Sequence, residues 1–119
     1  MSCPCGTGRP EDACCGPVLD GRPAPTAEAL MRSRYTAFVR GDAAYLRSSW
    51  HPSTRPRKLR LEPGSVWTGL EIVGRSGGAL FDTDGVVEFR AHRVDGVLRE
   101  RSRFVKEDGR WLYLDGDVS

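Results

Sequence analysis

The first half of the chain carries hydrophobic residues at helical spacing. Between Thr26, a favourable N-cap, and Gly41, a stop signal, apolar side chains recur every three or four residues. This stripe consists of Ala27, Leu30, Met31, Tyr35 and Phe38. Asp42 is a second N-cap candidate, and the segment after it predicts a shorter helix that ends before Pro52. The proline-rich and glycine-rich residues 16–25 predict a loop before both helices.

From Val66 onward the pattern changes to the alternation typical of strands. Four β-rich segments are separated by glycine-containing turns, and two of these turns are Asp-Gly pairs, which favour tight hairpins. The predicted strands are Val66 to Arg75, Val86 to Val94, Val97 to Lys106 and Arg110 to Asp115. Two helices followed by an antiparallel meander of about four strands predict an α+β domain.

Alternation along these strands sorts their side chains onto two faces of the sheet. Counting from turns at Asp95-Gly96 and Asp108-Gly109, one face is apolar and is expected to pack against the helices. Two acids and two hydroxyl groups share that face: Glu100, Ser102, Tyr113 and Asp115. The other face carries His92 and most of the strand arginines, and it is expected to meet water or a partner.

Arg34 lies in the middle of the apolar stripe of the longer helix. A charged side chain is rarely buried without a partner, so we expect an ion pair with Glu100 or Asp115 between helix and sheet. Three interpretations stay open. The pair only holds the fold, or Arg34 holds an anionic ligand in a pocket with Ser102 and Tyr113, or Arg34 extends to the edge of the stripe.

All four cysteines lie within the first 15 residues, as C-x-C followed by an adjacent pair. Adjacent cysteines close only a strained disulfide ring, because good bridges need Cα atoms about 5.5 Å apart. Four thiolates this close suit a tetrahedral Zn²⁺ ion. The predicted ligands are Cys3, Cys5, Cys14 and Cys15. Four protein ligands leave no position for a catalytic water, so the zinc is expected to be structural; redox thiols and another metal are the alternatives.

The sequences CPCGTG at 3–8 and CCG at 14–16 resemble the SEC-C motif, a small zinc-binding module known from the SecA translocation ATPase. Thr7 stands where that family usually has serine, and Cys15 stands where SecA has histidine. The resemblance implies a zinc-binding segment over residues 1–23. By analogy it also implies docking on a protein partner.

The net charge argues against a nucleic-acid partner. The 119 residues carry 18 Lys and Arg against 16 Asp and Glu, a formal net charge of +2. Four thiolates with one Zn²⁺ add −2, so the loaded chain is expected to be close to neutral. A nucleic-acid partner is therefore disfavoured, despite a short basic connection. That connection contains Arg55, Arg57, Lys58 and Arg60.

The expected location follows from what the sequence does not contain. No apolar run approaches the roughly 20 residues of a membrane span. The first residues lack a secretory pattern, so we expect no membrane span and a cytoplasmic location, where thiols stay reduced.

Residues 25–42, 67–73, 87–91 and 100–116 together resemble the YchJ-like family of uncharacterised bacterial proteins. The resemblance implies a nuclear transport factor 2-like, or cystatin-like, domain over residues 24–119. In that fold a curved antiparallel sheet of about four strands wraps on two N-terminal helices, here preceded by a small zinc knuckle. The resemblance implies no established activity.

Two functions fit these observations. The first is a non-catalytic binding or adaptor protein with a structural zinc site, which meets a protein partner through the knuckle or the arginine-rich sheet face. The second is a small-molecule-binding protein or an enzyme that uses Glu100, Asp115 and Arg34 between helix and sheet. No residue is assigned a catalytic role, because the sequence contains no evident nucleophile–base pair or open metal site.

Overall fold

The computed structural model describes residues 2–59, 61 and 66–118 as helices followed by one four-stranded sheet. A 3₁₀ turn at Glu11–Ala13 precedes α1 (Cys15–Leu19), α2 (Ala27–Arg40) and α3 (Ala43–Ser48). The strands are β1 (Trp67–Gly77), β2 (Asp84–Arg93), β3 (Gly96–Glu107) and β4 (Arg110–Val118). Neighbouring strands are antiparallel and follow the order of the chain. The predicted α+β class is confirmed.

Capping residues fix the ends of α2 and α3 where the sequence predicts them. The Thr26 side chain accepts a hydrogen bond from the Ala29 N–H at 3.0 Å, and the Asp42 carboxylate accepts one from the Tyr45 N–H at 3.0 Å. Gly41 ends α2 in the left-handed conformation, with φ 73°. The predicted loop at 16–25 is wrong in its first part, because α1 forms there and places Val18 and Leu19 against the core.

The core lies between α2 and the sheet. From α2 it receives the predicted apolar stripe except Phe38, which is half-buried. From the strands it receives the buried side chains of Val87, Phe89, Ala91, Phe104 and Trp111. Three cysteines of the N-terminal segment, Cys3, Cys5 and Cys15, belong to the same buried cluster. The N-terminal segment therefore shares a hydrophobic core with the rest of the chain.

Two details of the strand register differ from the prediction. The β2–β3 hairpin turns at Val94 and Asp95, one residue earlier than expected, which leaves every side chain on its predicted face. In β4 an extra residue forms a bulge, so that Ser102 lies opposite Gly116 and Arg103 lies opposite Asp115. Further register shifts in β1, together with this bulge, curve the sheet around α2.

Candidate metal centre and helix–sheet cavity

The N-terminal loop and the start of α1 bring the four cysteine side chains together. Their sulfur atoms all lie within 4.8 Å of one another, and the described residues contain no disulfide. The Sγ atoms of Cys5 and Cys14 are 3.5 Å apart, well beyond an S–S bond. Gly6 and Gly8, with φ 87° and 82°, turn the chain between the two cysteine pairs. The geometry can hold one metal ion.

The surroundings favour ionisation of one cysteine thiol and disfavour ionisation of two others. A hydrogen bond with the Cys15 thiol lowers the pKa of Cys5 to about 4, although burial opposes this. The same hydrogen bond and burial raise the pKa of Cys15, and burial raises the pKa of Cys14. Burial and the neighbouring Cys5 thus disfavour ionisation of Cys14 and Cys15, and a cation between the sulfurs would offset this effect. The all-sulfur donor set fits a soft or borderline divalent ion.

A stripe of α2 holds the cysteine segment in place. Arg32 Nη1 donates to the Cys5 carbonyl at 2.6 Å, and Thr36 Oγ1 lies 3.7 Å from the Cys3 sulfur in the interior. Arg40 forms an ion pair with Glu11. These three α2 residues are spaced by four positions, so they share one helix face. The contact between this helix face and the cysteine segment was not predicted from the sequence, although the four-residue spacing of Arg32, Thr36 and Arg40 is visible there.

A cavity of about 520 Å³ lies between the C-terminal half of α2 and the sheet. Six aromatic side chains line it: Tyr35, Phe38, Trp50, Trp67, Phe89 and Tyr113. Arg34, Glu100 and Ser102 are among its polar lining groups. The volume falls within the range of small-molecule sites, about 300–1,000 Å³.

Arg34 is buried, with 4% of its surface exposed, but its partners are not the predicted acids. Its Nη1 donates to the Leu46 carbonyl at 2.8 Å and to Ser49 Oγ at 2.7 Å. Its guanidinium carbon lies 5.2 Å from the ring centroid of Trp50 and 4.5 Å from that of Tyr113. Burial lowers the pKa of Arg34 to about 10, so the group stays charged near neutral pH. The predicted ion pair is replaced by carbonyl, hydroxyl and aromatic contacts.

Glu100 faces the cavity as predicted and is held by neighbouring hydroxyl groups. Its Oε2 accepts hydrogen bonds from Ser102 Oγ and from the Tyr113 hydroxyl, the latter at 3.2 Å. Burial, followed by the negative charge of Glu100, raises the pKa of Tyr113. Gly116 makes room for this arrangement, because a Cβ atom at that position would overlap the Glu100 carboxylate.

Asp115 does not join the cavity, which corrects the sequence prediction. The β4 bulge turns it to the outer face of the sheet, where it forms an ion pair with Arg103. Arg103 also contacts Asp117 at 2.8 Å. Further pairs on this face join Arg99 to Glu88 at 3.5 Å and Arg90 to Glu71 at 3.7 Å. Acids therefore offset much of the arginine charge that the sequence places on this face.

The structure describes part of the predicted basic connection. Arg55 donates to the Trp50 carbonyl at 2.8 Å, whereas Arg60 lies outside the described residues.

None of the helices in the described part of the chain is both long enough and apolar enough to cross a membrane.

Comparison with known proteins places this fold and cysteine arrangement among relatives. The family model described as "YchJ, middle NTF2-like domain" matches residues 26–116. The UPF0225 protein of Streptomyces coelicolor is 56% identical over 116 residues, which cover 97% of this chain and 94% of that protein.

Two solved structures of proteins described as containing a SEC-C motif are also similar. The solution structure from Rhodopseudomonas palustris has a TM-score of 0.82 at 36% identity and covers 98% of each chain. The crystal structure from Psychrobacter arcticus has a TM-score of 0.79 at 31% identity and covers 100% of this chain and 83% of that one. Both the cysteine segment and the helix–sheet body thus have counterparts in a single chain.

Proposed function

Because this chain belongs to the YchJ-type family of UPF0225 bacterial proteins, we propose that it is a non-catalytic binding protein whose N-terminal knuckle is held by a structural Zn²⁺ ion. We define the knuckle as residues 1–23 and the body as residues 24–119. Four cysteines within reach of one ion carry the proposal. Together they fill a tetrahedral coordination sphere, and no position remains for a water or a substrate.

Zinc suits this cluster in charge as well as in donor type. Zn²⁺ favours four sulfur ligands, and two units of positive charge allow neighbouring thiols to ionise together. Outer contacts support the ligand sulfurs: Thr7 Oγ1 lies 3.1 Å from the Cys14 sulfur, and Arg9 Nη2 lies 4.0 Å from it. Arg32 adds a positive charge beside Cys5. These groups offset the net negative charge of a zinc ion with four thiolates.

The exposed side of the knuckle is the proposed docking surface for a protein partner. Asp12 and Ala13 of the 3₁₀ turn are exposed, and so is the stretch 8–10 before it. The outer sheet face is a weaker candidate, because Arg90, Arg99 and Arg103 are already paired with acids and exposed pairs add little to binding. The SEC-C motif named in the two similar structures supports the same choice by analogy.

Metal analysis tests the zinc site directly. We expect the chain, purified without added metal, to contain about one zinc per molecule by inductively coupled plasma mass spectrometry, because four thiolates bind Zn²⁺ tightly. The control is the same protein after treatment with a strong chelator and buffer exchange. A zinc content near zero before chelation, with the thiols still reduced, contradicts the proposal.

A charge reversal tests the docking surface. We expect Asp12→Arg to reduce the amount of a stoichiometric protein partner that co-purifies with the full chain to less than about one fifth, since a like or unpaired charge at an interface costs on the order of 1–3 kcal/mol. The matched control is Asp95→Arg, the same change in the exposed β2–β3 turn. Equal loss in both variants, or loss in the control alone, rules out the knuckle as the docking surface.

The second candidate function is small-molecule binding in the cavity, by a carrier or an enzyme. The observation that favours it is the combination of a volume of about 520 Å³, aromatic walls and polar side chains, of which four contact one another directly or through Tyr113 or its neighbours. Those four are Arg34, Glu100, Ser102 and Tyr113. This candidate function is independent of the zinc site, because none of the four cysteines lines the cavity.

A further inference from the structure

The polar end of the cavity contains a hydrogen-bond acceptor and donors that the chain does not use. Within residues 2–59, 61 and 66–118, hydrogen bonds engage Oε2 of Glu100 and Nη1 of Arg34 only. Among the described residues, the fully buried polar atoms that lack a hydrogen-bond partner do not include Glu100 Oε1, Arg34 Nε or Arg34 Nη2. Both residues line the cavity, so these atoms belong to groups that a ligand in the cavity would meet.

The charges of these two groups offset each other. Tyr113 contacts both, because its ring lies 4.5 Å from the Arg34 guanidinium carbon and its hydroxyl donates to Glu100 at 3.2 Å. Of the other two arginines in the lining, Arg40 is paired with Glu11. Arg93 lies over the Trp67 ring at 5.3 Å, and its Nε lies 3.8 Å from the Asp95 carboxylate. A ligand with a net charge would lose its hydration in the cavity, and the charged lining groups described above already have partners of opposite charge. The cavity therefore favours a neutral ligand.

The walls favour a flat ligand. Trp50 meets Tyr113 edge to face, with ring centroids 5.0 Å apart, and Trp67 meets Phe38 at 5.8 Å and Tyr35 at 6.1 Å. Aromatic side chains contact planar rings through stacked or edge-to-face geometries. The volume of about 520 Å³ accommodates several fused rings.

We infer that this cavity binds a neutral, planar, fused heterocycle that carries a cyclic amide edge. The amide carbonyl accepts a hydrogen bond from Arg34, and the adjacent amide N–H donates to Glu100 Oε1. Adjacent donor and acceptor groups on the protein are matched by an acceptor and a donor on one edge of the ligand. The inference deepens the second candidate function and does not depend on the zinc site.

Two neutral probes that differ only in their ring N–H groups test the inference. Lumichrome is a fluorescent three-ring heterocycle whose outer ring carries two amide N–H groups, and in 1,3-dimethyl-lumichrome methyl groups replace both of these protons. In fluorescence titrations of the full, metal-loaded chain, we expect lumichrome to bind about 10-fold more tightly than 1,3-dimethyl-lumichrome, since a hydrogen bond to a partly buried charged acceptor is lost. The third probe is 2-naphthoate, which is planar but anionic and has no amide.

A matched pair of variants assigns the effect to one carboxylate. We expect Glu100→Gln to weaken lumichrome binding by about 10-fold and to leave the binding of 1,3-dimethyl-lumichrome unchanged, because the charged acceptor is removed with little change in shape. The control is Glu88→Gln, the same change on the outer face, which should alter neither. Circular dichroism spectra establish that both variants are folded. If Glu100→Gln is unfolded, the two lumichromes on the unchanged protein decide the matter.

The possible results of these titrations distinguish a failure of this inference from a failure of the second candidate function. Equal affinity for the two lumichromes, or binding of 2-naphthoate alone, overturns the cyclic amide class but leaves a small-molecule cavity. If none of the three probes binds, both the inference and the second candidate function fall. Neither result affects the zinc proposal, which has its own test in metal content.

Discussion

The Cys5→Ser variant is expected to melt about 10 °C or more below the unchanged chain, because the loss of one ligand removes much of the free energy that metal binding adds to folding. Cys5 is fully buried, and its sulfur lies among the other three. Its carbonyl also accepts the Arg32 hydrogen bond that ties the knuckle to α2. The loss should therefore reach the body of the protein. Thermal unfolding followed by circular dichroism measures it.

Chelation supplies the internal control for this variant. The unchanged chain treated with a strong chelator should melt near the temperature of Cys5→Ser, and the variant itself should show little further change with chelator. A role of Cys5 in packing alone would leave the variant as sensitive to chelator as the unchanged chain. Equal melting temperatures for the two chains, with and without chelator, would contradict the structural zinc site.

Replacing Arg34 with methionine has the second large effect. We expect Arg34→Met to lower the free energy of unfolding by about 3–5 kcal/mol, since it removes a buried cation and leaves polar groups without their partner. The groups left behind are the Leu46 carbonyl and Ser49 hydroxyl, which lose a donor, and Glu100, which loses a nearby positive charge. Urea denaturation measures the change. Arg101→Met, on the exposed outer face of β3, is the matched control and should change stability by less than about 0.5 kcal/mol.

A double variant separates the loss of charge from the loss of hydrogen bonds. If the positive charge of Arg34 stabilises Glu100, Arg34→Met with Glu100→Gln should be more stable than the sum of the single changes by about 1 kcal/mol or more. Additive effects would show that Arg34 acts through the Leu46 and Ser49 contacts alone. A cost below about 1 kcal/mol for the single variant would mean that its site relaxes or admits water.

Local signals in the sequence were sufficient for most of the fold. Thr26, Gly41 and Asp42 mark helix ends through side-chain or backbone conformations that depend on the residue itself. Asp108-Gly109 marks its hairpin for the same reason, with φ angles of 52° and 78°, whereas Asp95-Gly96 indicated its hairpin with the turn displaced by one residue. The strand alternation assigned Glu100 and Ser102 to the inner face. The predicted family resemblance is also confirmed, because it rests on motifs along nearly the whole chain.

The errors arose where tertiary contacts decide the outcome. The β4 bulge has no clear local signature, and one extra residue was enough to move Asp115 to the other face. The partners of Arg34 include a backbone carbonyl at the end of α3, which no side-chain pattern reveals. The four cysteines, in contrast, were predicted from their spacing alone to lie together, because so few residues separate them that the chain cannot easily hold them apart.

The burial of Cys3, Cys5 and Cys15 in the same core as α2 has a consequence for the life of the protein in a cell. If the zinc site is as proposed, a newly synthesised chain that binds no zinc has an incompletely packed hydrophobic core and is more easily cleaved by proteases. Its abundance would then follow the supply of zinc. Nutritional scarcity of the metal would deplete the protein after translation, without any change in transcription.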